Sequence, residues 1–186
     1  MKRRLRTSQT DPIRVDAVVL PGGGRIGMTF CPGKVDPMGA YGSWRRDLVL
    51  DLKAIQQWGA ERLISLVESH ELVALQVAEL GQEAQQMGLQ WHHLPIRDAH
   101  APDYAFMEQW HAVRDDLHRG LDGGGALVVH CRGGLGRAGT VTALLLIERG
   151  LPVTEAIAQV RSARRGAIET EAQVRFLQEV GGGLLV

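Results

Sequence analysis

Leu127-Val128-Val129-His130-Cys131 runs without a break into Arg132-Gly133-Gly134-Leu135-Gly136-Arg137, then into Ala138-Gly139-Thr140 and the apolar segment Val141 to Ile147. A valine-rich run, a loop with glycine at three of the five positions between Cys131 and Arg137, and an apolar segment of helical length come in that order. A buried strand that passes straight into a buried helix needs cover on both faces. That requirement points to an α/β fold: a central, mostly parallel sheet of about four or five strands flanked by helices, with the loop at the carboxyl end of a strand.

Glycines let successive backbone N–H groups turn inward, and the start of the helix adds unpaired N–H groups and a positive dipole end, so the loop is an anion cradle. It holds a cysteine at the strand end and an arginine at the helix start. Such surroundings favour a thiolate. Arginine offers a planar fork that suits two phosphate oxygens at once. A thiolate nucleophile in a phosphate cradle is the equipment of a phosphatase, with Cys131 and Arg137 catalytic and Arg132, Gly133, Gly134, Leu135 and Gly136 binding the phosphate. The other reading is a packed cysteine beside an incidental arginine.

His130-Cys131, five residues and Arg137 match the His-Cys-x5-Arg signature, and the chain resembles the cysteine-dependent protein tyrosine and dual-specificity phosphatases. The loop is most similar to that of the kinase-associated type, which acts on cyclin-dependent kinases. The resemblance extends over roughly residues 18–180. It implies a dual-specificity phosphatase-like fold, hydrolysis of phosphate monoesters through a phosphocysteine intermediate, and no metal or organic cofactor. It also implies that His130 orients the loop and supports the thiolate by hydrogen bonding rather than acting as a base.

Two further stretches carry the likeness. A thiolate that cleaves a phosphoester needs a proton for the departing oxygen, and a carboxylic acid on a mobile loop supplies one. In Trp91-His92-His93-Leu94-Pro95-Ile96-Arg97-Asp98, Asp98 follows a His-His-Pro-Ile-like strand, as the acid of the resembling phosphatases does. Asp103 is the rival, but it follows Pro102 at the start of the periodic segment 104–119 and suits a helix cap. Gly166-Ala167-Ile168-Glu169-Thr170-Glu171-Ala172-Gln173 is similar to a family segment whose first glutamine orients the water that attacks phosphocysteine. Glu169 stands at that first position and Gln173 matches a second glutamine. Gln173 is expected to place the water and Glu169 to accept its proton; the alternative is that both only cap and decorate the last helix.

Two residues depart from the family pattern, and both bear on the second half of the reaction. Ala138 stands where a serine or threonine usually stabilises the departing thiolate, and Glu169 replaces glutamine. Thr140 lies close in sequence to the sulfur. Losing one hydrogen bond to a charged group costs roughly 1.5–3 kcal/mol, so the expectation is an active enzyme with slow turnover.

Elsewhere, Lys plus Arg equals Asp plus Glu at 21 each, so no global field favours nucleic acid or a membrane surface. No apolar run approaches the roughly 20 residues that span a bilayer. Two cysteines, Cys31 and Cys131, are too few for a disulfide framework and fit a reducing compartment, the cytoplasm. Cys31 reads as a packed or turn cysteine, with a protective disulfide to Cys131 as the other reading. Residues 1–12, with Lys2, Arg3, Arg4 and Arg6, read as a frayed basic tail, and 13–186 as a single domain.

A hairpin over 13–30, a loop over 35–46 with Tyr41 and Trp44, and a helix capped by Asp47 follow. Next come a strand over 62–67, two helices within 71–87 broken at Gly81, and a strand over 90–96. Thr154 is expected to cap a helix through Arg164. Arg161, Arg164 and Arg165 form a solvated basic face or a site for an acidic or phosphorylated partner. His92, His93 and His100 lack the cysteine pair or acidic cluster that would complete a metal shell. The expected substrate is a phosphorylated protein or peptide. Phosphoinositide phosphatase is second, although loops of that branch tend to carry lysines where this one has Arg132 and Leu135. A phosphoprotein-binding pseudophosphatase is the alternative outside enzymes, and the oligomeric state is left open.

Overall fold

The computed structural model describes residues 4–39 and 42–184, so Lys2, Arg3 and Tyr41 lie outside the described residues. In chain order the strands are β1 (Leu5–Arg6), β2 (Asp16–Val19), β3 (Arg25–Phe30), β4 (Val35–Asp36), β5 (Ser43–Arg45), β6 (Arg62–Ser65), β7 (Gln90–His93) and β8 (Ala126–Cys131). The helices are α1 (Leu48–Gln57), α2 (Ser69–Ala74), α3 (Leu80–Gln86), α4 (Tyr104–Asp122), α5 (Gly136–Glu148), α6 (Val153–Ala163) and α7 (Glu171–Gly181).

The main sheet has five strands in the order β2-β3-β8-β6-β7. Only β2 runs antiparallel, as the near arm of a hairpin with β3; the other pairings are parallel. β8 lies at the centre and every residue in it is buried. Because successive side chains point to opposite faces, Leu127, Val129 and Cys131 join the core beneath α4 to α7, while Val128 joins the one beneath α1 to α3. α5 leaves the end of β8 directly and is buried from Gly136 to Leu146. Gly139 lets it seat against the turn before α7: a Cβ there would stand 2.9 Å from the Ile168 nitrogen. Among the described residues no helix is long and apolar enough to cross a membrane.

Several local expectations change. From Arg4 onward the chain is held rather than frayed: β1 pairs with β5 in a small second sheet, β1-β5-β4. The Arg46 guanidinium donates to the Thr7 and Asp11 carbonyls while forming a fully buried ion pair with Asp51. Gly81 does not break a helix; it lies in the first turn of α3, where the Trp91 ring occupies the space a side chain would need. The break falls at 75–79, where Gln76 takes φ 58. Pro152, not Thr154, precedes α6, its ring presetting a φ compatible with entry. Arg161 and Arg165 are exposed, as a basic face would be, and Arg164 is half-buried, but two of the three are tied down. Arg161 donates to the Ala167 and Ile168 carbonyls, and Arg164 to Asp16 and the Gly133 carbonyl.

Candidate active site

Cys131 ends β8, and its sulfur receives the Gly134 N–H at 3.2 Å. Gly134 has φ +73, and a Cβ on it would overlap the Thr29 backbone of β3, so the loop closes this tightly only with glycine there. Leu135 precedes α5, whose first turn follows at Gly136 and Arg137. The strand end, the glycine turn and the helix start thus converge on one sulfur.

His130 is fully buried between the strands, and its state follows from a chain of hydrogen bonds. The Trp91 indole N–H can only donate, and it reaches the Ser65 hydroxyl oxygen at 2.8 Å. The Cys131 carbonyl, 3.4 Å from Nδ1, can only accept, so Nδ1 carries the hydrogen, and in a neutral ring Nε2 then accepts from the Ser65 hydroxyl at 2.6 Å. Burial agrees, pushing the imidazole down to about 3. His130 is a neutral ring that braces the main chain at Cys131. The ring lies on the face of the sheet opposite the thiol, so the hydrogen bond that orients the loop runs to the Cys131 carbonyl.

Arg137 is 2% exposed and gripped from behind. Glu71, on α2, takes Nη1 at 2.6 Å and Nη2 at 2.9 Å, and the Ile96 carbonyl takes Nη1 at 2.9 Å. Burial alone would push the Glu71 carboxyl up, but the bonds from Arg137 hold it below the usual range. Asp98, largely exposed, reaches Nη2 at 2.9 Å from the solvent side. Its neighbour Ala99 has φ 60, a conformation rare outside glycine and held here by the Asp98 side chain accepting from the Ala99 N–H. Asp98 is thus at the mouth of the cleft, while Asp103 caps α4 through the Phe106 N–H. A thiol under a backbone N–H, a buried guanidinium and an exposed carboxylate suit in-line transfer of a phosphoryl group.

The family described as "Swiss Army Knife protein, DSP-PTPase phosphatase domain" matches residues 40–177. The chain belongs to that phosphatase-domain family. Among relatives of this DSP-PTPase domain, the mouse cyclin-dependent kinase inhibitor 3 is 31% identical over 137 residues, 73% of this chain and 64% of that one. The chain spans between half and two thirds of the length of the first curated relatives it matches. Among solved structures, kinase-associated phosphatase with its catalytic cysteine replaced by serine superposes with a TM-score of 0.80 at 26% identity, covering 92% of this chain and 96% of that one. Tk-PTP in its active form gives 0.68 at 28% identity, covering 90% and 97%.

The DSP-PTPase domain places its remaining predicted residues unevenly. Arg132 lines the cleft with its side chain tied to Asp36: Nε and Nη2 both reach Asp36 Oδ2, at 3.2 and 3.1 Å, and its carbonyl takes Lys34 Nζ at 3.0 Å. Gln173 is fully buried, and its amide is committed to backbone. Oε1 accepts the Glu169 and Thr170 N–H groups, and Nε2 donates to the His100 carbonyl, tying α7 to the Asp98 loop. Glu169 lines the same cleft as Asp98 and Gly133, its carboxylate over Gly136 at the start of α5. Ile168 before it has φ 60, adverse for a β-branched residue. Thr140 donates its hydroxyl to the Gly136 carbonyl at 2.7 Å, so it does not replace the hydroxyl that Ala138 lacks. Cys31 is a buried free thiol, and burial pushes it up, out of the range of a reactive cysteine. His93 bonds the Val67 carbonyl and stacks on Trp91, and His100 bonds the Asp98 carbonyl, roles that need no metal.

Sequence reasoning missed Glu71, Ser65, Trp91, and Lys34 and Asp36, which both bind Arg132. Glu71 left one usable trace: Glu68-x-x-Glu71 after a strand marks a helix start at the carboxyl edge of the sheet, where a ligand site is expected.

Proposed function

We propose that this chain is a cysteine-dependent phosphatase that hydrolyses phosphotyrosine, and phosphoserine or phosphothreonine, in proteins. The observation that carries the reading is the sulfur of Cys131 under the Gly134 N–H, beside a buried Arg137 whose outer nitrogen holds Asp98. A substrate phosphate would settle on the 132–137 loop, its non-bridging oxygens on backbone N–H groups and on Arg137. It competes with Asp98 for Nη2 and so frees the carboxyl group to turn toward the leaving oxygen.

Cys131 attacks phosphorus in line. The S–P bond forms as the ester P–O bond breaks, and protonated Asp98 gives its proton to the departing oxygen. Water then attacks phosphorus, Asp98 takes a proton from it, and the S–P bond breaks to release inorganic phosphate and the thiolate. His130 stays neutral throughout and holds the Cys131 carbonyl. With the amide of Gln173 engaged, Glu169 at the cleft wall is the group that orients the water. Protein-bound phosphate suits an open cleft of about 360 Å³ rimmed by Trp44. Free thiols at Cys31 and Cys131 suit the cytoplasm.

The test is a stopped-flow assay with p-nitrophenyl phosphate. The expected result is a burst of nitrophenol equal to the enzyme concentration, then slower turnover, with the burst lost in Cys131→Ser and slowed in Asp98→Ala. A phosphopeptide-binding protein without hydrolysis is the second reading, favoured by the Thr140 hydroxyl being turned away from Cys131. Tight binding with no burst from the wild type would establish it instead.

A further inference from the structure

The chain leaves β3 through Cys31-Pro32-Gly33-Lys34, and this turn is tightly built. Gly33 has φ +72, and a Cβ on it would stand 2.6 Å from the Leu48 Cβ. Its N–H donates to Asp51 Oδ2 at 2.9 Å, and the Arg46 N–H donates to the Lys34 carbonyl at 3.2 Å. The buried Arg46–Asp51 pair thus pins the main chain on both sides of Lys34. Lys34 itself is 4% exposed, its Nζ lying 4.3 Å from the centroid of the Trp44 ring and 5.1 Å from that of Phe30. A fixed backbone and two aromatic faces aim the ammonium at the catalytic loop.

There Nζ donates to the Arg132 carbonyl at 3.0 Å, and the Cys31 N–H reaches the same oxygen at 3.3 Å. Arg132 directly follows Cys131, and its guanidinium is held by Asp36, two residues beyond Lys34. One short segment therefore grips the first residue of the loop by both its carbonyl and its side chain. A trans peptide sets its C=O and the following N–H on opposite sides. With the Arg132 carbonyl drawn toward β3, the Gly133 N–H points away from β3, across the loop that holds Cys131. A charged donor on that carbonyl also polarises the peptide unit and strengthens the N–H at its other end. Burial pulls the Lys34 ammonium down to about 8, which leaves it charged at neutral pH. The ionisable groups around it are Cys31, Asp36, Cys131 and Arg132, with Arg6 and Arg46 over the same rings. Asp36 is shared between Lys34 and Arg132, so a net positive charge remains on this side of Cys131.

We propose that Lys34 is a positioning residue for the phosphate cradle: through the Arg132 carbonyl it aims the Gly133 N–H at the bound phosphate, and its charge holds Cys131 as the thiolate. The proposal rests on the phosphatase reading above and adds to that site a residue from outside the loop. β8 lies between β3 and β6. Lys34 follows β3, and Glu71, which holds Arg137, follows β6 on α2. The two cations therefore approach the end of β8 from opposite neighbouring strands. A lysine that only packed on the two rings would leave the acidity of Cys131 unchanged when replaced.

The experiment compares the wild type with Lys34→Met, which keeps the apolar stem and removes both charge and donor, and with Lys34→Arg, which keeps both. The rate of alkylation by iodoacetamide is followed against pH at Cys131, located by peptide mass so that Cys31 is counted separately. Protection by inorganic phosphate and urea unfolding are measured on the same samples. In Lys34→Met the midpoint of the alkylation profile should rise by about one pH unit. The phosphate concentration for half protection should rise about tenfold, with cooperative unfolding retained. Lys34→Arg should recover most of both shifts. A folded Lys34→Met with the wild-type midpoint and wild-type phosphate protection would overturn the proposal. Should Lys34→Met not fold, Lys34→Gln, a donor without charge, takes its place: its midpoint rises as well, or the proposal fails. None of these readouts needs turnover, so they judge Lys34 by itself, whereas a wild type that hydrolyses no phosphate ester would sink the phosphatase reading.

Discussion

Replacing Glu71 by glutamine should disable catalysis without touching a group that meets the substrate. Glu71 is buried and holds both terminal nitrogens of Arg137, at 2.6 and 2.9 Å. Glutamine fits the same space but offers one acceptor oxygen and turns an N–H₂ group toward the other guanidinium nitrogen. One charge-assisted bond is lost, worth roughly 1.5–3 kcal/mol, and the charge that balances a buried arginine goes with it. Breaking a buried ion pair from one side costs about 3–5 kcal/mol, so that range bounds the loss of stability from above. The Ile96 carbonyl and Asp98 remain on the guanidinium and would draw it toward the mouth of the cleft. A displaced arginine no longer matches the transferring phosphoryl group, and a misplacement of about 1 Å costs on the order of 100-fold. The assays are kcat/KM for p-nitrophenyl phosphate and urea unfolding on the same samples. Falls of about 10- to 100-fold in kcat/KM and 2–4 kcal/mol in stability are expected. Wild-type kcat/KM from a Glu71→Gln protein with reduced stability would refute the positioning argument, and wild-type values of both would refute the pairing itself.

Ala138→Ser should restore a hydroxyl near the departing sulfur and raise steady-state turnover about 10- to 100-fold, with the burst rate unchanged; unchanged turnover would show that the missing hydroxyl does not limit the second step. The buried His130, held down to about 3 from an ordinary 6.5, sets an acid limit on folding. Between those values the unfolded chain binds a proton that the folded chain refuses, so stability falls as pH drops, by up to about 1.4 kcal/mol per pH unit. His92, also lowered by burial, adds to the same slope, and Glu71 and Glu148, held low by their cationic partners, add a further loss below the ordinary carboxylate range. Unfolding midpoints measured between about pH 6.5 and pH 5 should therefore slope less steeply in His130→Asn than in the wild type; equal slopes would mean that the imidazole is protonated in the folded chain.

Whatever depends on neighbours in the chain was legible from the residues alone. The strand, glycine loop and helix from Ala126 to Glu148 announce themselves by composition, and with them Cys131 and Arg137. Asp47 and Asp103 read correctly as caps because a cap bonds an N–H three residues on. Asp98 was found through a matching motif, and it does reach Arg137. Tertiary structure decided the rest. Ser65 faces His130 because β6 and β8 pair in that register, and Glu71 reaches Arg137 because α2 begins at the edge of the same sheet. The basic amino-terminal segment became a strand beside a cleft because β5 offered it an edge. Gln173 and Thr140, both plausible partners of the chemistry by position, turned to backbone: Thr140 to the Gly136 carbonyl one helical turn back and Gln173 to the Glu169 and Thr170 N–H groups at its own helix start, while the bond from Gln173 to the His100 carbonyl exists only in the folded chain. Hydrogen-bonding capacity is finite, and which partner claims it depends on distances that no spacing in the sequence can express.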